Sequence, residues 1–437
     1  MAELIPLWMF IILFVFVFLG IPVALSLIVT SVIFGFFTFG DLLFSQLYGA
    51  ILHTASNFTL SSIPLFILMG AILEKTGLAL RLFQALQLWF GRLPGGLALS
   101  TIVMCAIFAA ASGVVGAVEI VVGMMALPAM AKYKYNKGLM AGTVCAGGSL
   151  GTIIPPSIVV VVYASMAQLS IGQLFAASLI PGVMMVAFFM IYMVVACYFK
   201  KDLGPAVILE QEVALSEKLL ITAKAILPPL LLISSVLGSL LLGIASPTEA
   251  AAVGAAGAAL IALVFRELSW PSFIGALKTT IQITAMIMMI VVGGTMFTSI
   301  FAVSGGGWMI VDMINSLDIG VYQLTFILMA VIFLAGFVLD WISIVLIFVP
   351  IFTPLIKMAG IDPIWFAVMF MVVIQTSYLT PPMAPSIFYL KSIAPNDMTY
   401  RHMYQGVMPF VILQLLVLLS VVVFPMAATY LPSLITN

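Results

Sequence analysis

Of the 437 residues, 64% are hydrophobic and only 7% charged, against about 25% charged in an ordinary soluble domain. Such a chain has too little polar surface to face water and too much apolar surface to stay disordered, so both classes are excluded. Fifteen basic and fifteen acidic residues balance to zero, leaving no basic field for nucleic acid. The three cysteines, Cys105, Cys145 and Cys197, lie in apolar stretches without metal-ligand spacing. With only His53 and His402 to join them, neither a disulfide scaffold nor a zinc centre is expected.

The first apolar run starts near Ile5 with no basic residue before it, and reads as a retained helix rather than a cleaved signal. In chain order, hydropathy and helix breakers give spans at 6–37, 41–57, 60–74, 138–163, 177–199, 220–245, 249–265, 279–303, 363–390 and 405–431. Two further apolar stretches, 98–131 and 322–356, are too long for one helix and are broken in the middle. They read as re-entrant hairpins, with a pair of short helices or one tilted span as the alternative for each.

Basic residues test that reading. Lys75, Arg81 and Arg92 follow the third span, and Lys132, Lys134 and Lys137 follow the first hairpin. Lys200, Lys201, Lys218 and Lys224, then Arg266 and Lys278, then Lys391 and Arg401 form the later clusters. Segments 164–176, 243–248 and 304–321 carry no Lys or Arg. The positive-inside rule puts all five clusters in the cytoplasm only if both hairpins return to the side they left. Both termini then lie outside.

The chain also resembles itself. Gly151-Thr-Ile-Ile-Pro155-Pro156-Ser157 matches Ser377-Tyr-Leu-Thr380-Pro381-Pro382-Met383 at a shift of 226, and Pro128 meets Pro354 at the same shift. Each half, 1–199 and 220–437, reads as five spans plus one hairpin, joined by the charged loop 200–219. Gln168–Gln173 and Asn396–His402 are matching polar linkers. An odd number of spans turns the second copy over. The expected fold is an all-α polytopic membrane protein of two inverted repeats with broken helices at mid-membrane, a transporter architecture. Two Pro-Pro kinks of independent origin are the plainer account.

Backbone can leave the helix inside a bilayer only where protein or a cavity satisfies it. Four places do so: Ala111-Ser112-Gly113-Val-Val-Gly116 at the first hairpin tip, Gly147-Gly148-Ser149-Leu-Gly151-Thr152 before Pro155-Pro156, Gly336-Phe-Val-Leu-Asp340-Trp341 at the second tip, and Gln375-Thr376-Ser377-Tyr378-Leu379-Thr380 before Pro381-Pro382. Proline lacks an N–H and frees carbonyls upstream. Those carbonyls, with Ser and Thr hydroxyls, suit sodium. The half-helix starts beyond each break suit an anionic substrate, which makes Pro156, Ser157, Ser377 and Pro382 the candidate substrate contacts.

Asp340 reads either as an ion ligand or local field near the second cation site, or as a hydrated tip carboxylate. Glu119 reads equally as site wall or as a structural hydrogen-bond acceptor. Glu249, in Ser246-Pro-Thr-Glu249, reads as a capping box at a helix start. Trp8, Trp89, Trp270, Trp308 and Trp365 fall near span ends and read as an interfacial belt. Phe83, Leu86, Trp89 and Phe90, with Arg81, Gln84 and Arg92, form a short amphipathic pattern that reads as an interfacial arm, with ordinary helix packing as the alternative.

Ser62-Ile-Pro-Leu-Phe-Ile-Leu-Met-Gly70, Gly148-Ser-Leu-Gly-Thr-Ile-Ile-Pro-Pro-Ser157, Ser246-Pro-Thr-Glu-Ala-Ala-Ala252 and Leu379-Thr-Pro-Pro-Met383 resemble motifs of one family. It is the large membrane subunit of tripartite ATP-independent periplasmic (TRAP) transporters, the DctM-like proteins. The resemblance runs from about residue 5 to 430. It implies a multi-pass transporter subunit of a bacterial or archaeal inner membrane, not an enzyme, driven by sodium through an elevator motion. It also implies a separate small four-helix membrane subunit and a periplasmic substrate-binding protein. The cargo would be an organic acid: a dicarboxylate, a 2-oxo acid or a sugar acid. Sodium ions would be the coupling ions, with no other cofactor. The family's ion sites carry over to Ser112, Gly113, Gly148 and Ser149 in one half, and to Gly336, Asp340, Thr376 and Thr380 in the other. Met383 and Pro385 depart from the family pattern, where a run of small residues follows the proline pair. A stand-alone carrier, a membrane enzyme and a channel are the competing classes. No span core holds a histidine beside a serine, which disfavours the enzyme.

Overall fold

The structure is a computed structural model that describes residues 5–113, 116–207, 213–309, 312 and 320–435. Glu210 and Glu212 of the connecting loop, and Asp318 in the 304–321 segment, lie outside the described residues. Those described are helical, with no strand among them. The first half runs α1 (Ile5–Phe18), α2 (Val23–Phe39), α3 (Leu43–Ala55), α4 (Ser62–Glu74), α5 (Leu78–Phe90), α6 (Gly96–Ser112), α7 (Ala117–Lys132), α8 (Lys137–Ser149), α9 (Ile158–Ala167) and α10 (Ile171–Phe199). The second half runs α11 (Leu215–Leu241), α12 (Pro247–Val264), α13 (Trp270–Val303), α14 (Val321–Ala335), α15 (Trp341–Met358), α16 (Pro363–Leu379), α17 (Pro385–Ile393), α18 (Tyr400–Val423) and α19 (Met426–Ile435).

Local chemistry sets the starts. Asn136 accepts from the N–H groups of Gly138 and Leu139 at the head of α8, and Asp362 does the same for Ile364 and Trp365 at the head of α16. The capping box before α12 is present: Glu249 N–H donates to Ser246 Oγ at 3.3 Å, and Ser246 N–H to Glu249 Oε2 at 2.7 Å. Glu249 is thus a helix-start residue.

Among the described residues seven helical stretches are long and apolar enough to cross a membrane, α2 and α3 together forming one of them, or eight if the bent α4–α5 pair is counted as one. Ten spans were expected. The difference lies in the breaks, which cut spans into pieces too short to cross alone. Two of these cuts, at 150–157 and 380–384, fall at the expected proline pairs, both of which are cis. Another corrects the sequence reading: 6–37 is not one helix but α1 and α2, parted at Leu19–Pro22. Gly20 there takes a φ of +82°, which glycine adopts without strain, and Pro22 offers no N–H to extend α1. The last expected span, 405–431, likewise stops at Val423 and resumes at Met426, around Pro425.

The basic clusters converge on one end of the molecule. Arg81 donates to Glu267 at 2.8 Å, and Lys218 lies over the Trp89 ring. Gly95 N–H donates to Gly204 O, and Asn136 N–H to Leu203 O. Lys137 pairs with Asp397 at 2.6 Å, and Lys391 donates to Met398 O. Three segments free of Lys and Arg meet elsewhere: Thr248 Oγ1 reaches Phe58 O, and Leu60 shares a cavity wall with Gln168.

Both arms of the first hairpin start from the basic end, since Tyr135 Oη accepts from Leu97 N–H at 3.2 Å. Its tip points inward, where Gly113 (φ +63°) meets Pro156. In the second hairpin the tip residue Gly336 sits directly against Ser377, where a Cβ would collide with the side chain. The foot of that hairpin leads to Trp365, whose Nε1 donates to Val421 O. This also corrects the tryptophan belt: Trp365 is 6% exposed, buried by that hydrogen bond, whereas Trp8, Trp270 and Trp308 are exposed. α8 and α18 cross on glycines, with Gly142 and Gly406 in backbone contact, the small-residue packing of membrane helices. α5 turns 63° from α4. It buries Leu82, Phe83 and Leu86 against the protein and exposes Leu80 and Trp89, so part of its apolar face serves ordinary helix packing.

Candidate functional site

Two hairpin tips and two broken helices meet in the interior. Beside the second tip lies a cavity of about 350 Å³. Gly336, Asp340, Trp341, Ser377, Tyr378 and Tyr389 give it its polar and aromatic wall. Pro22 to Ala24 at the α1–α2 break and Met286, Met289 and Ile290 of α13 close the other side. The first tip reaches this cavity indirectly: a Cβ on Gly116 would lie 3.1 Å from the Tyr389 ring.

Asp340 caps α15. Its Oδ2 accepts from the N–H groups of Ile342 (3.1 Å) and Ser343 (3.4 Å), and its Oδ1 accepts from the Ser343 hydroxyl. The residue is nonetheless exposed to the cavity. It therefore carries a formal negative charge into a chamber lined by no Lys, Arg or His. Of the residues expected to contact ion or substrate, Gly336, Asp340 and Ser377 are brought together here. Thr376 is buried one residue away and Thr380 is half-buried; their hydroxyls donate to Val372 O and Thr376 O at 2.7 Å each. Their oxygen lone pairs stay available. Pro382 is exposed beyond the break and does not line the cavity.

The first break is closed rather than open. Ser157 is buried and donates to Gly151 O or Thr152 O, at 2.9 and 3.0 Å. Pro156 is covered by Gly113. Neither lines the central cavity. Ser112 is 2% exposed, and its Oγ has no hydrogen-bond partner among the described residues. A buried oxygen in that state suits a cation.

Gly148 and Ser149 lie where the halves touch. A Cβ on Gly148 would collide with the Glu119 side chain. Glu119 is fully buried; it accepts from Ser386 Oγ at 2.8 Å and from Tyr378 Oη at 3.4 Å. Ser149 Oγ donates to Ala146 O at 2.8 Å and accepts from Gln375 Nε2 at 3.1 Å and Gln414 Nε2 at 3.2 Å. Its hydroxyl is thus fully engaged, and a cation there would see the backbone carbonyl. Sequence reasoning missed Gln414, Ser386 and Tyr389 as site-building residues. A lone glutamine inside the apolar run Val411–Val423 was the available signal. Among the described residues no cluster of His, Cys, Asp and Glu could hold a transition metal.

This arrangement of tips seated on broken helices belongs to transporters, and comparison agrees. The family model of the tripartite ATP-independent periplasmic transporter, DctM component, matches residues 10–427. The C4-dicarboxylate TRAP transporter large permease protein DctM of Pseudomonas aeruginosa is 32% identical over 87% of this chain and 88% of its own length. The ectoine TRAP transporter large permease protein TeaC of Halomonas elongata is 30% identical over 95% and 96%. The fold is shared with the YdaH transporter of Alcanivorax borkumensis, with a TM-score of 0.67 and 14% identity across 98% of this chain and 99% of that one. As the motif resemblance implied, the chain belongs to the DctM family, the large permease component of TRAP transporters, and is a multi-pass membrane transporter subunit rather than an enzyme.

Proposed function

We propose that this subunit imports an organic acid anion across the inner membrane, coupled to sodium, by an elevator motion of the two hairpins and two breaks as one unit. The observation that carries this reading is the pair of hairpin tips, each seated on a broken helix: Gly113 on Pro156, and Gly336 on Ser377. The two halves, 1–199 and 220–437, are read as inverted copies. Ser149 and Gln375 support this: they are 226 positions apart, the repeat shift, and hydrogen-bond to each other. Positions matched by a two-fold axis can touch only beside that axis.

Sodium is assigned to the tips and the breaks facing them: Ser112, Gly113 and the Gly148–Ser149 backbone on one side, and Gly336, Asp340, Thr376 and Thr380 on the other. A cation beside Asp340 would neutralise the cavity for an anionic cargo, which the wall alone would repel. Two sodium ions moving with a dianion carry no net charge, so their inward concentration gradient would supply the drive, and each further sodium would add about 2.3 kcal/mol per 100 mV. Dicarboxylates, 2-oxo acids and sugar acids all fit the class. A tripartite system has three components, and the remaining two are read as a small four-helix membrane subunit and a periplasmic binding protein.

The test is uptake into proteoliposomes holding the permease and its small subunit, with the binding protein outside. Uptake of at least one such acid is expected only with an inward sodium gradient and the binding protein present. Uptake indifferent to sodium would refute the coupling, and uptake without the binding protein would leave a stand-alone carrier.

A further inference from the structure

A second cavity, of about 360 Å³, shares no residue with the central one. Its wall includes His53, Asn57, Ser165, Gln168, Thr295 and Thr298. In a chain that is 64% hydrophobic, eight of its thirteen lining residues are polar, and among the described residues no Asp, Glu, Lys or Arg lines it. It opens among the loops free of Lys and Arg, with His53 and Gln168 exposed at its mouth. The Ser165 hydroxyl is buried without a hydrogen-bond partner among the described residues.

The two cavities are stacked along the same pair of helices. The central one touches α13 at Ile290 and α15 at Ile344; the polar one touches α13 at Thr295 and α15 at Pro350. At a rise of 1.5 Å per residue these contacts are separated by about 8 Å along each helix. Between them α13 and α15 are in contact: a Cβ on Gly294 would lie 2.9 Å from Cβ of the buried Leu346. The seam that links the cavities is therefore closed at one glycine–leucine contact.

We propose that the polar cavity is a loading site at the outer end, where a small organic solute rich in hydrogen-bonding groups binds before it passes the Gly294–Leu346 constriction. This rests on the transport reading above and adds a second site to it. The wall offers donors and acceptors but, among the described residues, no fixed charge, so it recognises such a solute by hydrogen bonds. Such a site binds weakly and releases readily, which a transfer station needs. The central cavity, with Asp340, differs in kind.

The test uses spheroplasts expressing the whole assembly, with Cys105, Cys145 and Cys197 replaced by alanine and Ser165→Cys introduced. An impermeant methanethiosulfonate reagent is applied from outside, and labelling is read by mass. Succinate, ectoine and N-acetylneuraminate serve as probes, one at a time. The introduced thiol is expected to label, and a transported probe to slow labelling several-fold. In a Gly294→Val background uptake should be lost while that protection persists. Labelling that no transported probe slows, or protection lost with Gly294→Val, overturns the loading site. Protection that survives while unmodified permease shows no sodium-dependent uptake leaves the loading site standing and removes the sodium-coupled reading instead.

Discussion

Glu119 illustrates how single side chains hold this site. Its carboxylate, at zero exposure, takes hydroxyls from α16 and α17 while its stem fills the space left by Gly148 on α8. Ser386→Ala removes the shorter of those bonds and should lower stability by about 1–3 kcal/mol, read as a fall in melting temperature in detergent; no change would mean that Glu119 finds a substitute donor. Gly148→Ala should be worse, because the added methyl meets the Glu119 stem, and overpacking costs typically about 1–3 kcal/mol. Ser112 is the opposite case. Its hydroxyl holds nothing among the described residues, so Ser112→Ala should leave folding almost unchanged and raise the sodium concentration for half-maximal uptake. Unaltered sodium dependence would strike Ser112 from the ion site.

Among the elements, the first hairpin makes the sharpest claim, since both its feet stand at the basic end. With the native cysteines replaced, Lys132→Cys should resist an impermeant thiol reagent added outside, and Leu242→Cys should react; the reverse would overturn the orientation. At the same end Lys137 holds the Asp397 carboxyl below the usual carboxylate range, chiefly through its hydrogen bond. A carboxyl depressed by folding adds stability above its unfolded value and loses it as pH falls through the folded one. Protection of the Gly138 and Leu139 amides, taken relative to their intrinsic exchange rates, should therefore fall below about pH 4, and Lys137→Met should abolish that response. Much of this level was legible in sequence. Hydropathy marked the helices, proline pairs marked two breaks, and a glycine or acid marked each tip. What escaped depends on partners distant in the chain. Gln414 meets Ser149 across 265 positions, and Trp365 meets Val421 across 56; no local pattern carries such contacts. The cut at Leu19–Pro22 was hidden because Gly20 and Pro22 sit inside an unbroken apolar run.

For the whole molecule the proposed motion has one mobile unit, the hairpins with the broken helices, sliding against a frame that includes α2, α4, α11, α12 and α13. Within that frame α2 lies along α13 and α4 along α12. The site-lining residues split the same way: Asp340, Ser377 and Tyr389 on the mobile side, Met286 and Ile290 on the other. Alternating access by motion of one bundle against another is the rule for inverted repeats. The direct measurement is disulfide cross-linking of Leu346→Cys on the hairpin to α13, after replacement of Cys105, Cys145 and Cys197. In the described state Leu346 faces Gly294. If the unit slides, the Leu346→Cys thiol pairs with Gly294→Cys in one state and with Ile287→Cys or Phe301→Cys, about two helical turns away, in another, and each cross-link stops uptake. Pairing with Gly294→Cys alone, in protein that still transports at full rate once cross-linked, would contradict the moving unit.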